Sequence, residues 1–238
     1  MSYDHPLTVE GARQAKQLCE RWSKLAQNQQ QRGVKGHSDP DNKRLGQWLA
    51  AGEVLCSPLT RAVQTALVAL GGHPRLAVAG MRLVPCVREL KVLGGIDNIG
   101  CGVGTEIEIV ARQELLRLEQ DSEALQGLAN QPCTVHAEAV ENRWWTRTWD
   151  DEVEVERRLA HFLLEVQHHP SSTLIVVGHS KFFRALMQRY GHEAVVDGHD
   201  LAQEKIANAA CVALDIAFLE GIGPQVEEAE FVFGEEPV

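Results

Sequence analysis

Three residues carry the chemistry this chain has to offer: Arg61, Glu89 and His179. Arg61 follows the strand-like run Glu53-Val54-Leu55-Cys56 across Ser57-Pro58-Leu59-Thr60. That places it one step into a helix, just beyond the carboxyl end of a buried strand. In α/β proteins ligands bind at that end, and a helix N-terminus there attracts anions. A guanidinium adds a fork of donors that fits an oxyanion, phosphate above all. The β-branched run Leu174-Ile175-Val176-Val177 ends in the same manner, at Gly178-His179-Ser180, with a helix from Lys181. His179 is then placed to donate a hydrogen bond to the same anion, whose charge would set its protonation. Glu89 follows a strand-like run and is the candidate general acid for a leaving-group oxygen, with Asp97 in the next loop as its competitor. Each has a plainer reading: a surface arginine, a histidine capping a strand–helix turn, a carboxylate paired with Arg88. For Arg61 the plain reading is weak, because a cation in a first helical turn opposes the helix dipole.

The elements that must position these residues follow from periodicity. Thr8 reads as an N-cap, and Leu18, Trp22 and Leu25 give helical spacing up to Gln27. The polar stretch Gln27–Asn42, with Gly33, Gly36 and Pro40, reads as an exposed loop, and a short helix over Arg44–Ala51 leads into the first strand. Arg61–Leu70 reads as helix, Met81–Val87 as strand, Gly94–Gly104 as a glycine-rich loop and Glu106–Glu119 as helix. Asp121–Thr148 is irregular in pattern, and its Trp144 and Trp145, with Trp149 beyond, are expected to pack beneath the next helix; Arg143 and Arg147 beside them are candidates for positive charge at the pocket rim. That helix, Asp151–Gln167, aligns Val155, Leu159, Phe162, Leu163 and Val166 on one face. After the second strand come a helix over Phe182–Tyr190 and two runs, Ala209–Leu219 and Val226–Phe233, that read as a terminal hairpin.

Composition narrows the function classes. The chain has 238 residues, enough for one α/β domain over residues 1–238, with no Pro/Ser-rich linker to divide it. Its net charge of −10 argues against a nucleic-acid surface. The six cysteines show no Cys-x-x-Cys spacing and read as reduced thiols, with Cys56 and Cys86 in the core. The histidines have no metal-ligand spacing, and the His168-His169 pair, which follows a helix, is expected to be solvated there. No signal-like or membrane-length apolar run occurs, so the expectation is a cytoplasmic protein without membrane contact.

Taken in order, four segments resemble the histidine phosphatase superfamily, the group of the cofactor-dependent phosphoglycerate mutases. They are Pro6–Ala15, Ser57–Ala66, Val87–Leu90 with Gly95–Gly100, and Val177–Ser180. The resemblance implies a three-layer, phosphoglycerate mutase-like α/β sheet flanked by helices, with a C-terminal β-hairpin. It implies that Arg61 and His179 bind phosphate and that Arg61, His179 and Glu89 serve catalysis, with no metal or cofactor. Two departures stand out. Ser180 occupies a position that is usually glycine in the family. The family's nucleophilic histidine, in an Arg-His-Gly turn after a first strand, has no counterpart: only Ser2-Tyr3-Asp4-His5 separate Met1 from Pro6, and no Arg-His pair occurs elsewhere.

Met1 is therefore expected to be an internal start, with the first strand missing. That strand lies in the family beside the one carrying the second histidine, so its absence should leave Thr173–Val177 as an unpaired edge and detach the hairpin. The implied function is phosphomonoester hydrolysis once the upstream turn is restored. The alternative is a non-catalytic phosphate-ligand binder or scaffold. Partners on either reading are a small phosphorylated molecule or a phosphoprotein.

Overall fold

The computed structural model describes residues 4–32, 40–91, 99–100, 102–146, 148–191, 195–196 and 199–233. Four short strands, β1 (Glu53–Cys56), β2 (Met81–Leu83), β3 (Val135–His136) and β4 (Leu174–Val177), pair in parallel in the order β3-β2-β1-β4. The alternation of β1 divides the core. Val54 and Cys56 pack among Ala12, Leu18 and Trp22 of α1 (Val9–Arg32) and Val63, Ala66 and Leu67 of α3 (Thr60–Ala69). Leu55 packs with Leu159 and Phe162 of α6 (Glu152–Gln167) and Phe182 and Leu186 of α7 (Ser180–Tyr190). Both faces of the sheet are thus covered by helices, as parallel strands require.

Helix starts are set by local chemistry. Asp151 caps α6 by accepting from the Glu154 amide at 2.8 Å, with Glu152 and Glu154 in the first turn to suit the dipole. α2 (Pro40–Leu49) and α4 (Pro74–Ala79) each begin on a proline, whose missing N–H costs nothing there. α4 is also capped by the His73 ring, which accepts from Arg75 N. α5 (Glu106–Asp121) crosses from β2 toward β3.

Several boundaries differ from expectation. α1 continues to Arg32, because Gln27–Gln31 are adequate helix formers and nothing before Gly33 breaks the run. The second strand stops at Leu83, and Pro85–Val87 turn into a 3₁₀ segment, since Pro85 has no N–H to give a ladder. The irregular stretch after α5 does contain strand β3 at the sheet edge. Most of the glycine-rich loop, with Asp97, lies outside the described residues, as does Arg147.

β4 is the other edge of the sheet. Two short strands, β5 (Val195–Val196) and β6 (His199–Asp200), pair with each other. β7 (Cys211–Leu219) and β8 (Gly223–Val232) form a separate antiparallel hairpin with an irregularity between Asp215 and Ile216. The hairpin is held to the body from two sides. Arg44, 6% exposed, pairs with Glu230 at 2.7 Å, Asp215 at 3.2 Å and Glu228 at 3.4 Å. On the other side Val226 packs with Met187 and Leu201.

Candidate active site

β1 and β4 run side by side and in register, Cys56 opposite Val177, so the turns that follow them emerge together. Ser57 N donates to Val177 O at 2.9 Å and extends the pairing to the start of both turns. From there α3 and α7 begin, and their first residues meet at the upper end of a cavity of 970 Å3. Arg61, Glu89, Gly178, His179, Ser180 and Lys181 line it. The three residues singled out by the sequence are therefore brought together. Asp97 lies outside the described residues. Arg143 is not among the lining residues; it sits over the Trp145 ring at 5.8 Å.

His179 occupies the N-cap position of α7 in extended conformation, with no side-chain bond to that helix. Its Nε2 instead shares a 2.8 Å hydrogen bond with Ser57 Oγ, 122 residues away. Ser57 Oγ also accepts from Leu59 N at 3.3 Å. The ring is buried, and burial, followed by the charges of Arg61 and Arg158, holds its pKa well below the usual histidine range. The imidazole is neutral at pH 7. A dianion arriving beside Arg61 would reverse part of that penalty and favour the imidazolium.

Glu89 is pushed the opposite way. Burial raises its pKa, against the hydrogen bond from Leu90 N at 3.0 Å and the charges of Arg61, Lys181 and Arg158. A carboxyl kept protonated into milder pH is what a general acid needs. Glu89 does not pair with Arg88. Arg88 grips Asp150 instead, at 2.6 and 2.9 Å, and Arg158 joins the same carboxylate at 3.0 Å. All three side chains are nearly sealed, at 4%, 1% and 2% exposure. Arg158 also donates to the carbonyls of Cys86 and Arg88. This network fixes the backbone on either side of Arg88 and so sets where Glu89 points.

Asp4 is a participant that the sequence reading passed over. Its buried carboxylate accepts from Thr60 N and Thr60 Oγ1, both at 2.9 Å, and so caps α3 from outside the helix. Burial raises its pKa from 3.8 to about 6, against the bonds from Thr60 and the charge of Arg61. A cap contributed from 56 positions away leaves no local signal. Ser57 stood inside one of the four segments and Lys181 directly after another, but the bond of Ser57 to His179 and the charge of Lys181 near Glu89 come only with folding. Ser180 Oγ is buried and has no partner among the described residues.

Elsewhere two expectations fail. His169 is not solvated: its Nε2 lies 2.8 Å from Glu53 Oε2, with the side chain 10% exposed. Of the tryptophans, Trp144 packs against the core and donates to Gly102 O at 3.0 Å, but Trp149 is half exposed beneath the Lys91 ammonium. Cys56 and Cys86 are buried free thiols, as expected. No helix is long and apolar enough to cross a membrane, and no group of three or more potential metal ligands occurs among the described residues. No protein family, curated protein or solved structure matches this chain.

Proposed function

We propose that the upper end of the cavity binds the phosphoryl group of a phosphate monoester, carried by a small molecule or a protein. The observation that carries this reading is the convergence of Arg61, His179 and Lys181 on one concave site at the first turns of two helices. Arg61 forks onto two phosphoryl oxygens, and His179 leaves Ser57 to donate to a third. The first amides of α7, which carry no side-chain cap, add partial positive charge. Glu89 stands at the same site as the proton donor for the ester oxygen.

The phosphoglycerate mutase-like arrangement belongs to this proposal. It calls for a further strand between β4 and the hairpin, ending in a turn that presents a histidine to phosphorus. With that histidine supplied, the protein is a phosphomonoesterase. The histidine nitrogen bonds to phosphorus as the P–O ester bond breaks, and Glu89 protonates the departing oxygen. Water then displaces the histidine, gives its proton to Glu89 and leaves as part of inorganic phosphate. Phosphate-ligand binding without turnover is the second reading. It is favoured by one observation: the other described histidine lining the cavity, His169, lies at the opposite end of β1 beside Glu53.

Inorganic phosphate tests the shared element of both readings. Millimolar phosphate should raise the melting temperature of the protein, and R61A and H179A should each abolish the rise. A melting temperature that ignores phosphate would overturn both. Hydrolysis of p-nitrophenyl phosphate, lost in E89Q, separates the enzyme from the binder.

A further inference from the structure

Asp4 stands at the edge of the phosphate site with a carboxyl that the proposed chemistry does not use. Its backbone takes a φ of 52°, in the left-handed region that residues other than glycine rarely adopt, and the residue is 6% exposed. Helix α3 has no side-chain cap of its own at Leu59. The Asp4 carboxylate fills that place through its two bonds from Thr60, the residue directly before Arg61. Further along the same segment, Leu7 N donates to Gln64 Oε1 at 2.7 Å, and Gln64 Nε2 donates to Ala111 O at 3.1 Å. The segment is thus clipped to α3 at two points. Pro6, Leu7 and Thr8 line the same cavity as Arg61.

The Thr60 clip holds in either charge state. Thr60 N donates to one carboxyl oxygen whether or not the other carries a proton. The Thr60 hydroxyl donates to a carboxylate and accepts from a carboxylic acid. Ionisation of Asp4 therefore changes the charge beside Arg61 and leaves the bonds standing. The charges acting on that carboxyl come from Arg61 on α3 and from His5 in its own segment. His179, Lys181 and Glu89 line the cavity from other elements. An anion gripped by Arg61 arrives beside the carboxylate, and like charges at one site oppose each other's ionisation. We infer that Asp4 sets the affinity of the site for phosphate through its charge: Asp4 takes a proton from solvent as the anion binds, and ionised Asp4 drives the anion off. This inference rests on the phosphate site proposed above. Burial holds the Asp4 carboxyl at about 6, so the exchange falls near neutral pH.

The probe is inorganic phosphate, titrated into the full chain by calorimetry at about pH 5 and about pH 8. D4N keeps an acceptor for Thr60 N and mimics the uncharged acid. At the lower pH, D4N and wild type should bind phosphate equally. At the higher pH, D4N should bind about tenfold tighter, the equivalent of one pKa unit. Comparing the two proteins at each pH cancels the titration of phosphate itself, which both share. Weaker binding in D4N by the same factor at both pH values would make Asp4 a structural clip alone and overturn the inference. Equal binding at both would overturn it too. If D4N does not fold, the Asp4 carboxyl carbon can be followed by NMR in the wild-type protein. Its titration midpoint should rise by about one unit with phosphate bound, and an unmoved midpoint overturns the inference. Phosphate binding that is lost in R61A keeps the site itself standing whichever way Asp4 behaves. No binding in wild type at either pH would remove the site and the inference together.

Discussion

The two ends of β1 handle charge in opposite ways. At the lower end, Arg82 pairs with Glu53 at 3.0 Å and Glu165 at 2.6 Å, and His169 pairs with Glu53 at 2.8 Å. The charges of Arg82, Glu53 and Glu165 are in direct contact, and the bond from Arg82 holds the Glu53 carboxyl below the usual carboxylate range. At the upper end three buried groups are driven toward their neutral forms instead: His179 down, Glu89 and Asp4 up. Burial is the leading cause in all three. Paired charges stabilise a fold, whereas neutral groups poised beside an arginine gain only when an anion arrives. This is the arrangement that the proposed phosphate site at the upper end requires.

The largest effect should come from breaking the support beneath the upper end. D150A removes the closest countercharge of the Arg88 and Arg158 guanidinium groups in a site that is almost sealed, leaving Arg88 with Glu154 at 3.6 Å. It should cost about 3–5 kcal/mol in urea unfolding. A loss below about 1 kcal/mol would mean that the network does not anchor Glu89. Asp4 comes next. Its carboxyl releases its proton near pH 3.8 when unfolded but only near 6 when folded. The folded state therefore holds the extra proton between those values, and stability present below pH 4 falls away as pH rises through 6. The whole shift corresponds to about 3 kcal/mol at most. D4N keeps an acceptor for Thr60 N and should remove this slope, so its advantage over wild type grows from pH 4 to pH 7. An advantage that is flat across that window would contradict the assignment.

Effects at the lower end should be smaller. R82M loses ion pairs that are about a quarter exposed and should cost about 1–2 kcal/mol, partly relieved by salt. It should leave any response to phosphate untouched, which sharpens the contrast between the two ends. S180G removes a hydroxyl with no described partner and should shift stability by no more than about 0.5 kcal/mol. Weaker phosphate binding in that variant would add Ser180 to the anion site.

Much of the frame was legible in the residues, and the reason is local. β1, β4 and the helices after them announce themselves through short β-branched or apolar runs broken by Ser-Pro or Gly-His, and those junctions place Arg61 and His179. The hairpin was legible from alternation around Gly221 and Gly223. What stayed hidden depends on partners far along the chain. β3 is two residues long and is a strand because Met81 and Arg82 lie beside it. α4 is six residues that hold together on a histidine cap. Asp4 takes its role from Thr60, Glu89 its position from Asp150, and His169 its partner from Glu53. The separation of the hairpin from the main sheet follows from no periodicity; it was expected from the resemblance alone, and the strand order agrees with it.

The most direct test of the upper end is the ionisation of the His179 ring, followed by NMR with and without inorganic phosphate. In the free protein its signals should stay those of a neutral imidazole well below the usual histidine range. Phosphate should draw the titration upward by a unit or more, and R61A should abolish that coupling. A His179 ring whose titration is the same with and without phosphate would contradict the account, because the two residues would then share a cavity without sharing an anion.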